Sequence, residues 1–413
     1  MYIKRKLEDT ILKYLKTPEI IAVIGPRQSG KTTLLQHIYQ LLSQSARANF
    51  LTFEDKKVID LFIASPDEFI SLYIKPYQYI FIDEFQYARK GGKILKYIID
   101  TTKKKIFISG SSSIDLTVQT VKFLVGRIFV FPLLPLDFEE FLSYKNFNLF
   151  KIYQQNKLLL EHLNLPRAMS LSDNLINQLK LLYEEYALFG GYPRVVISDD
   201  NNEKKTVLKN IFSTYFLREV KDLLGLVDDY KLSQMIKALA LQIGNLIEYQ
   251  EISQISELSF PSVKNYLNFL QKTFICTLIK PFFKNKRIEI VKNPKVYFFD
   301  TGLRNYIIDD FRKINERTDS GALLENAVAM QLLKQEKSYN FWRTKQQSEI
   351  DFIINMTADE KIALEIKKNF NPNDFKAKSG HDFTKKYQNI PLVFGIFNYQ
   401  RTKEKNIIFI GMI

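Results

Sequence analysis

The segment Gly25–Thr33 constrains the fold of this chain more than any other stretch. Its letters, GPRQSGKTT, fit the pattern G-x-x-x-x-G-K-[ST] and stand between an apolar run typical of a strand, 20–24, and a run with helical spacing, 33–42. In this context glycines let backbone N–H groups curl around phosphates, and the helix N-terminus adds a favourable dipole. The sequence therefore predicts a phosphate-binding loop in an α/β domain.

The residue types in this loop predict that it binds ATP with Mg²⁺. We expect the ammonium group of Lys31 to reach the β- and γ-phosphates as a point charge and the hydroxyl of Thr32 to coordinate the metal ion. The whole loop forms the predicted ATP-binding set: Gly25, Pro26, Arg27, Gln28, Ser29, Gly30, Lys31, Thr32 and Thr33.

A second motif, Tyr79–Glu84, is an apolar strand that ends in two acids. Asp83 is predicted to hold Mg²⁺ through water, and Glu84 to polarise the water that attacks the terminal phosphate. The alternative is that the two carboxylates only cap the next helix. Beside a phosphate-binding loop, a carboxylate at the position of Glu84 favours a hydrolase over a kinase.

The first 140 residues predict a parallel sheet covered on both faces. Short runs rich in Ile, Val and Phe occur at 19–24, 49–53, 78–82, 105–109 and 127–131, with helical segments or loops between them. Buried parallel strands separated by helices have this pattern, which is that of an α/β domain.

Polar residues near the fourth and fifth strands are candidates for sensing the γ-phosphate. Ser111, or else Ser112, follows the fourth strand, and the alternative is an ordinary serine-rich turn. Arg127 precedes the fifth strand, where it is predicted to act as an arginine finger toward a neighbouring subunit, or else to be a surface arginine. Arg194 is a candidate for touching the phosphates from a lid.

The chain resembles the prokaryotic AAA-type P-loop ATPases in which an ATP-binding domain (AAA family fourteen) is fused to a domain of unknown function. The motifs that carry the resemblance are GPRQSGKTTLL, FIDEFQ, ISGSSS, VGRIFVFPLLPLDFEEF, FGGYPR and NPKVYFFDTGLR, between about residues 20 and 305, and it continues to about residue 370. The chain departs from the family at Arg194, where many relatives carry an acid.

This resemblance implies a division of the chain into four parts. We expect an ATPase core at 1–140, a helical lid and connector at 141–230, a winged-helix-like module at 231–312 and a restriction-endonuclease-like domain at 313–413. The polar stretch Lys313–Ser320 is predicted to be a linker.

The middle module has features that suit nucleic-acid binding. Helical stretches are predicted at 250–256 and 261–273, and the segment 280–295 carries six basic residues, Lys295 among them, against Glu289 alone. Such a segment suits a wing along a phosphate backbone. Alternatively, its two phenylalanines are core and its lysines merely solvated, and winged helices also bind proteins. The predicted nucleic-acid contacts are Lys264, Lys284, Lys286 and Arg287.

The C-terminal region carries a second constellation. Asp351, followed by Glu365-x-Lys367, with Glu325 on an upstream helix, matches the PD-(D/E)xK nuclease pattern. With a period of two, Glu365 and Lys367 lie on the same face of a strand. We expect Glu325, Asp351 and Glu365 to hold Mg²⁺ or Mn²⁺ and Lys367 to orient water or stabilise charge. A structural or DNA-binding remnant is the alternative.

Composition limits the class of protein. Of 413 residues, 46% are apolar, which excludes global disorder, and 59 Lys and Arg against 45 Asp and Glu give a net charge of +14. This charge permits DNA as a partner, although a solvated lysine-rich surface is equally compatible. The single cysteine, Cys276, excludes intrachain disulfides. The start has no apolar signal, and no apolar run is long enough for a membrane helix, so we expect a soluble, cytoplasmic protein.

Three functions remain open at this point. The first is an ATP-driven DNA-processing enzyme with a C-terminal nuclease. The second is a regulatory, signal-transducing NTPase switch whose winged helix binds a protein or an operator. The third is a motor, assembled from several copies of the chain, that remodels DNA such as branched DNA while its nuclease-like domain is inactive.

Overall fold

The computed structural model describes residues 2–88, 91–110, 123–156, 171–216, 229–283, 285–357, 359–371, 374, 377–402, 404 and 406–413. The chain divides into two compact units, Met1–Pro135 with Lys272–Ile275, and Leu136–Gln271 with Cys276–Ile413. The finer division into four parts stays a prediction. In the described ranges, no helix combines the length and the apolar character needed to cross a membrane.

The first unit contains a parallel sheet whose described strands run in the order β2-β3-β4-β1-β5. The strands are β1 (Ile20–Ile24), β2 (Ala48–Thr52), β3 (Tyr79–Asp83), β4 (Lys105–Gly110) and β5 (Ile128–Pro132). The helices are α1 (Lys6–Lys13), α2 (Lys31–Ser43), α3 (Lys56–Ala64), α4 (Pro66–Phe69) and α5 (Gly91–Thr102), with shorter turns at Ile70–Ile74 and Phe85–Tyr87. The predicted parallel α/β sheet is confirmed.

Alternation along β1 explains why both faces of this sheet are covered. Ile20, Ala22 and Ile24 pack in one apolar cluster with side chains of α3, α4 and α5, whereas Ile21 and Val23 pack in a second cluster with α1 and α2. Successive side chains of a strand point to opposite faces, so a strand that is apolar at every position needs helices on both sides.

The strand order positions the candidate site. Because β4 lies between β1 and β3, the carboxyl ends of these three strands stand side by side. In open parallel sheets, ligands bind at the carboxyl ends of the strands. The loop after β1 and the acids that end β3 therefore face the same edge.

The second unit is built from helices and two small sheets. Its described helices are α6 (Phe138–Lys145), α7 (Phe147–Asn156), α8 (Asp173–Phe189), α9 (Pro193–Ile197), α10 (Asn201–Asn210), α11 (Asp229–Leu241), α12 (Tyr249–Ser256), α13 (Phe260–Lys272), α14 (Lys286–Val291), α15 (Thr301–Ile308), α16 (Ser320–Lys334) and α17 (Lys378–Lys386). Its described strands are β6 (Cys276–Ile279), β7 (Lys295–Phe298), β8 (Tyr339–Arg343), β9 (Glu349–Asn355), β10 (Lys361–Lys367), β11 (Leu392–Ile396) and β12 (Ile407–Phe409). Shorter turns lie at Ile211–Phe216, Ile314–Glu316 and Ile410–Met412.

In the middle of this unit, the helices α11, α12 and α13 precede the antiparallel pair β6 and β7, and Leu246 bridges to Lys295 of β7. The segment between β6 and β7 is anchored at Phe282. Phe282 is buried against Trp342, and its N–H donates to the carbonyl of Phe341 at 2.5 Å. The apolar side chain thus anchors this segment to β8, and the alternative of a core phenylalanine holds for Phe282.

The C-terminal sheet has the order β12-β11-β10-β9-β8. The strands β8, β9 and β10 form an antiparallel meander after α16, and β11 pairs parallel with β10 after α17. The helix carrying Glu325 and the two strands carrying Asp351 and Glu365 lie where the sequence predicts them.

The prediction of a linker at Lys313–Ser320 is wrong. Ile314 is fully buried, and the guanidinium of Arg317, which is also buried, donates to Asp319 at 2.8 Å and to Asn305 at 3.2 Å. Arg304 donates to the same Asp319 carboxylate at 2.6 Å. Arg317 and Asp319 of this segment therefore belong to an ion-pair network with Arg304, while Lys313, Asn315, Glu316 and Thr318 are exposed.

The motifs FGGYPR and FFDTGLR of the second unit are in contact through Asp300. The carboxylate of Asp300, at the start of α15, accepts hydrogen bonds from the N–H of Gly191 at 2.7 Å and of Leu303 at 2.8 Å. Gly190 has φ +76°, and a Cβ there would lie 2.2 Å from Asp300 Oδ1. Gly190 of FGGYPR is therefore required by the aspartate of FFDTGLR, whereas a Cβ at Gly191 would lie 2.1 Å from the carbonyl oxygen of Leu136.

Candidate functional site

The loop between β1 and α2 depends on two glycines. A Cβ at Gly25 would lie 2.2 Å from the carbonyl oxygen of Leu133, and Gly30, with φ +96°, directly precedes α2. Only glycine adopts such backbone positions without strain or clash. The local sequence thus folds into the tight loop that the motif predicts.

The side chain of Lys31 lies inside this loop. Lys31 is the first residue of α2 and is buried, and its ammonium group donates to the carbonyl oxygens of Gly25 at 3.1 Å and Pro26 at 3.0 Å. A cation held by the loop backbone is placed to meet a phosphate that the same loop surrounds.

Hydrogen bonds join the ends of three neighbouring elements. Thr32 Oγ1 donates to Asp83 Oδ2 at 2.7 Å, and Ser109 Oγ donates to Asp83 Oδ1 while accepting from the N–H of Glu84 at 3.0 Å. The hydroxyl of Thr32 and the carboxylate of Asp83 are adjacent hard oxygen donors of the kind that Mg²⁺ takes together with phosphates and waters. These residues therefore fit the expected Mg²⁺.

Glu84 is held in an unusual conformation at the end of β3. Its φ is +55°, a left-handed backbone position that is uncommon for a residue other than glycine, and the amide of Gln86 donates to its carboxylate. Burial raises the pKa of the Glu84 carboxyl, and Lys31 and Gln86 offset part of that rise. A half-buried carboxylate with a raised pKa suits a general base.

Sequence reasoning missed two residues of this site. Ser109 holds both acids in place, and its position at the end of the strand beside β3 is the signal that could have identified it. Arg5 is buried, and its guanidinium donates to the carbonyls of Ser29 at 2.8 Å and Leu134 at 2.6 Å. No local pattern marks Arg5, since it precedes its partner Ser29 by 24 residues.

The other loop residues differ in exposure. Arg27 and Gln28 are partly exposed, Gln28 with φ +61°, whereas Pro26 and Ser29 are buried and Thr33 is exposed. Their roles in binding ATP stay predictions.

The candidates for phosphate sensing lie in different places. Ser111 and Ser112 lie outside the described residues. Arg127 precedes β5, the end strand of the described order, and its guanidinium lies 3.2 Å from Asp100 with both side chains 43% exposed. Arg194 belongs to the second unit, where it donates to Glu203 and, at 3.0 Å, to Ser198. The roles of both arginines stay predictions.

Two of the predicted nucleic-acid contacts are described. Lys264 is exposed on α13 with its ammonium 4.5 Å from the ring centre of Phe260, and Arg287 is exposed on α14. Lys284 and the side chain of Lys286 lie outside the described residues. Whether these residues touch nucleic acid stays a prediction.

The C-terminal carboxylates lie close enough to influence one another. The N–H of Ile366 donates to Asp351 at 2.8 Å, and the ammonium group of Lys367 donates to Glu365 at 2.8 Å. Burial raises the pKa values of Glu325, Asp351 and Glu365, and the charge of Asp351 adds to the rise at the two glutamates. The predicted residues are therefore neighbours.

The structure places an unexpected cation among them. Lys295, predicted as part of an exposed basic segment, is fully buried, and that expectation is wrong for this residue. Its ammonium group lies 2.7 Å from Glu325 and 2.5 Å from Glu349. In the part of the chain that is described, no group of three or more His, Cys, Asp or Glu side chains is arranged to hold a metal ion.

The parallel sheet, the glycine-dependent loop after β1 and the acid pair that follows β3 define a P-loop nucleotide-binding domain. Residues 17–142 match the family described as an AAA domain, which supports the predicted P-loop ATPase. Residues 180–317 and 320–411 match two domains of unknown function, DUF8612 and DUF4143.

Relatives with similar sequences are uncharacterized. The chain is 28% identical to the uncharacterized protein MJ1544 of Methanocaldococcus jannaschii, over 85% of this chain and 76% of the relative. It is also 28% identical to an uncharacterized protein of Haemophilus influenzae, over 88% and 87% of the two chains.

Solved structures give weaker likenesses. Domain III of the Thermotoga maritima replication initiation protein DnaA matches 51% of this chain and 95% of its own length, at 18% identity and a TM-score of 0.30. DnaA from Aquifex aeolicus bound to AMPPCP matches 65% and 89%, at 13% identity and a TM-score of 0.32. At such TM-scores these likenesses carry no argument about this chain.

Proposed function

We propose that this protein hydrolyses ATP in the presence of Mg²⁺. The observation that carries the proposal is the hydrogen bond from Thr32 to Asp83, with Glu84 next in the chain, because it joins the end of the phosphate-binding loop to the two acids that end β3. A phosphate chain seated in the loop would meet Lys31, the hydroxyl of Thr32 and the carboxylate of Glu84 in one place.

Each residue has a defined task in this mechanism. Lys31 exchanges its bonds to loop carbonyls for the phosphate oxygens, and Thr32 and Asp83 would hold Mg²⁺, which would neutralise charge on the phosphates. Glu84 takes the proton of the attacking water. Ser109 fixes Asp83 and the backbone of Glu84, so that the base keeps its position relative to the metal ligand.

The proposal is tested by phosphate release from the purified full chain. Wild-type protein is expected to hydrolyse ATP only with Mg²⁺, and Lys31→Ala to lose turnover. Lys75→Ala, which changes an exposed lysine of the same unit, serves as the control. Hydrolysis at the wild-type rate by the Lys31 variant would refute the proposal.

We further propose that Arg127 completes the site of a neighbouring copy of this chain. Its exposed position before the end strand supports that role, because the guanidinium is accessible to another subunit. Mixing Arg127→Ala with Lys31→Ala subunits is expected to restore part of the activity. At one kind of mixed interface, the unchanged phosphate-binding loop of the Arg127→Ala subunit meets the unchanged Arg127 of the Lys31→Ala subunit. A well-mixed assembly without restored activity would refute a role in trans.

For the second unit we propose a winged-helix-like module and a restriction-endonuclease-like domain. The winged-helix-like module is supported by the helices α11, α12 and α13, which are followed by the antiparallel pair β6 and β7. Leu246 forms a β-bridge with Lys295 of β7. The second is supported by the succession of α16, the meander β8–β10, α17 and the parallel strand β11.

We propose DNA as the partner of the second unit, through a groove to which the segment 280–295 contributes Phe283 and Lys292. The groove has a volume of about 710 Å³, and its lining includes Lys292, Arg343, Lys345 and Lys386 beside Phe283. Cations with an aromatic ring suit a strand of nucleic acid, whose phosphates and bases they contact. A regulatory switch that binds a protein is the alternative, and ATP turnover that no form of DNA stimulates would favour it.

A further inference from the structure

We propose that the ammonium group of Lys295, rather than a divalent metal ion, is the cation that neutralises the carboxylates of Glu325, Asp351 and Glu365. The C-terminal domain is then a binding module without metal-dependent nuclease activity. This inference is independent of ATP hydrolysis by the first unit.

The contacts of Lys295 carry the proposal. Lys295 is the first residue of β7, its side chain is 0% exposed, and its ammonium group lies 2.7 Å from Glu325 Oε1 and 2.5 Å from Glu349 Oε1. Tyr297, two residues further on the same strand and therefore on the same face, donates its hydroxyl to the same oxygen of Glu325. Two donors of one strand thus converge on the carboxylate that a metal ion would need.

The backbone keeps this ammonium group in place. Lys295 pairs with Ile279 of β6, and Leu246 bridges to it. Removing a buried charge from its partners leaves uncompensated carboxylates behind, which is strongly unfavourable. The side chain therefore stays among the acids.

The charges favour the same conclusion. The ammonium group of Lys295 lies in contact with the carboxylates of Glu325 and Glu349 and close to that of Asp351. A divalent ion bound to Glu325 would stand beside this positive charge and be repelled by it. Mg²⁺ also demands near-octahedral oxygen ligands, whereas Glu325 Oε1 already accepts two hydrogen bonds.

The other two carboxylates also have protein donors. Asp351 Oδ2 accepts from the N–H of Ile366, and Glu365 Oε1 accepts from Lys367. Each of the three acids thus gives one oxygen to a donor of the chain, while Oε2 of Glu365 is buried without a hydrogen-bond partner among the described residues. The residues present do not fit the divalent ion that the PD-(D/E)xK pattern implies.

The test measures Mn²⁺ binding to the full chain without nucleotide. Electron paramagnetic resonance detects the ion that remains free. Wild type and Asp351→Asn are expected to bind the same amount of Mn²⁺, because the ATP site is identical in both. Neither is expected to nick linear or branched duplex DNA in Mn²⁺. One additional Mn²⁺ in the wild type, or cleavage that Asp351→Asn abolishes, would overturn the proposal.

The converse test replaces the ammonium group. Lys295→Gln is expected to gain about one bound Mn²⁺ per chain, and Lys295→Gln with Asp351→Asn to lose it again. A folded Lys295→Gln protein that gains none would also overturn the proposal. Thermal unfolding establishes whether Lys295→Gln folds, and if it does not, the comparison of wild type with Asp351→Asn decides by itself.

Discussion

The hydroxyl of Thr32 donates a hydrogen bond of 2.7 Å to the carboxylate of Asp83, fifty-one residues further along the chain. This bond joins the start of α2 to the end of β3, between which we propose that a phosphate chain and its metal ion bind. The strand β4 separates β1 from β3 and adds Ser109, which bonds to Asp83 from the other side. Each oxygen of the Asp83 carboxylate thus accepts a hydrogen bond from a hydroxyl group.

Arg5 is predicted to position the phosphate-binding loop. Its guanidinium holds the carbonyls of Ser29 and Leu134 together, and a lysine lacks the fork that makes both bonds. Arg5→Lys is expected to raise the KM for ATP by about three- to tenfold, the effect of losing one hydrogen bond, with a smaller change in kcat. Steady-state kinetics measure this, with the exposed Lys4→Ala as control. An unchanged KM would show that the tether does not position the loop.

Asp300 is predicted to be a stability determinant of the second unit. Its buried carboxylate accepts from Gly191 and Leu303, and alanine would leave both donors without that partner. Asp300→Ala is expected to lower the free energy of unfolding by about 2–4 kcal/mol. Urea denaturation checks this against the exposed Asp199→Ala, which is expected to be neutral. Equal urea midpoints for the two variants would contradict a stabilising role for Asp300.

The groove of the second unit is predicted to bind single-stranded DNA through its lysines. Lys345→Gln together with Lys386→Gln is expected to weaken binding about tenfold at low salt and to reduce the slope of log K against log salt by about 1.4. Fluorescence anisotropy at several salt concentrations measures both quantities. The control is Lys313→Gln, which removes one positive charge from an exposed lysine that does not line the groove. If all variants bind as the wild type does, DNA does not occupy this groove.

The pKa of Glu84 predicts the acidic limb of the pH profile. A general base works only when deprotonated, so kcat is expected to fall as the pH drops through the pKa of Glu84. Because burial raises that pKa, the fall is expected at a higher pH than for an exposed carboxylate. Measuring kcat under saturating ATP from about pH 4 to about pH 8 tests this. A rate that is flat down to the ordinary range of glutamate would contradict it.

The residues found from sequence were those in local patterns. The loop around Lys31 and the acids after β3 lie within single motifs, and the five strand runs are apolar enough to identify their parallel sheet. Arg5, Ser109 and Lys295 could not be found in this way, because their partners lie far along the chain. A basic segment predicts solvent-exposed lysines. Only the packing of β7 beside α16 shows that Lys295 forms ion pairs with buried acids.

The linker prediction for residues 313–320 of the second unit failed for a related reason. The segment 313–320 has the composition of a linker, yet Arg317 is buried because Asp319 and Asn305 satisfy its guanidinium. Charge patterns along a sequence do not reveal which charges pair with one another in space. Apolar periodicity does predict elements, since α12, α13 and α16 lie where their spacing places them.

The central claim, that Glu84 is the base of an ATP-hydrolysing site, is tested most directly by measuring ATP binding and phosphate release side by side in Glu84→Gln. The amide keeps the shape of the side chain but cannot take a proton. We expect ATP affinity within about threefold of the wild type and turnover at least about 100-fold slower, the effect of losing a general base. The exposed Glu54→Gln is the matched control. Turnover by Glu84→Gln at the wild-type rate would contradict the claim.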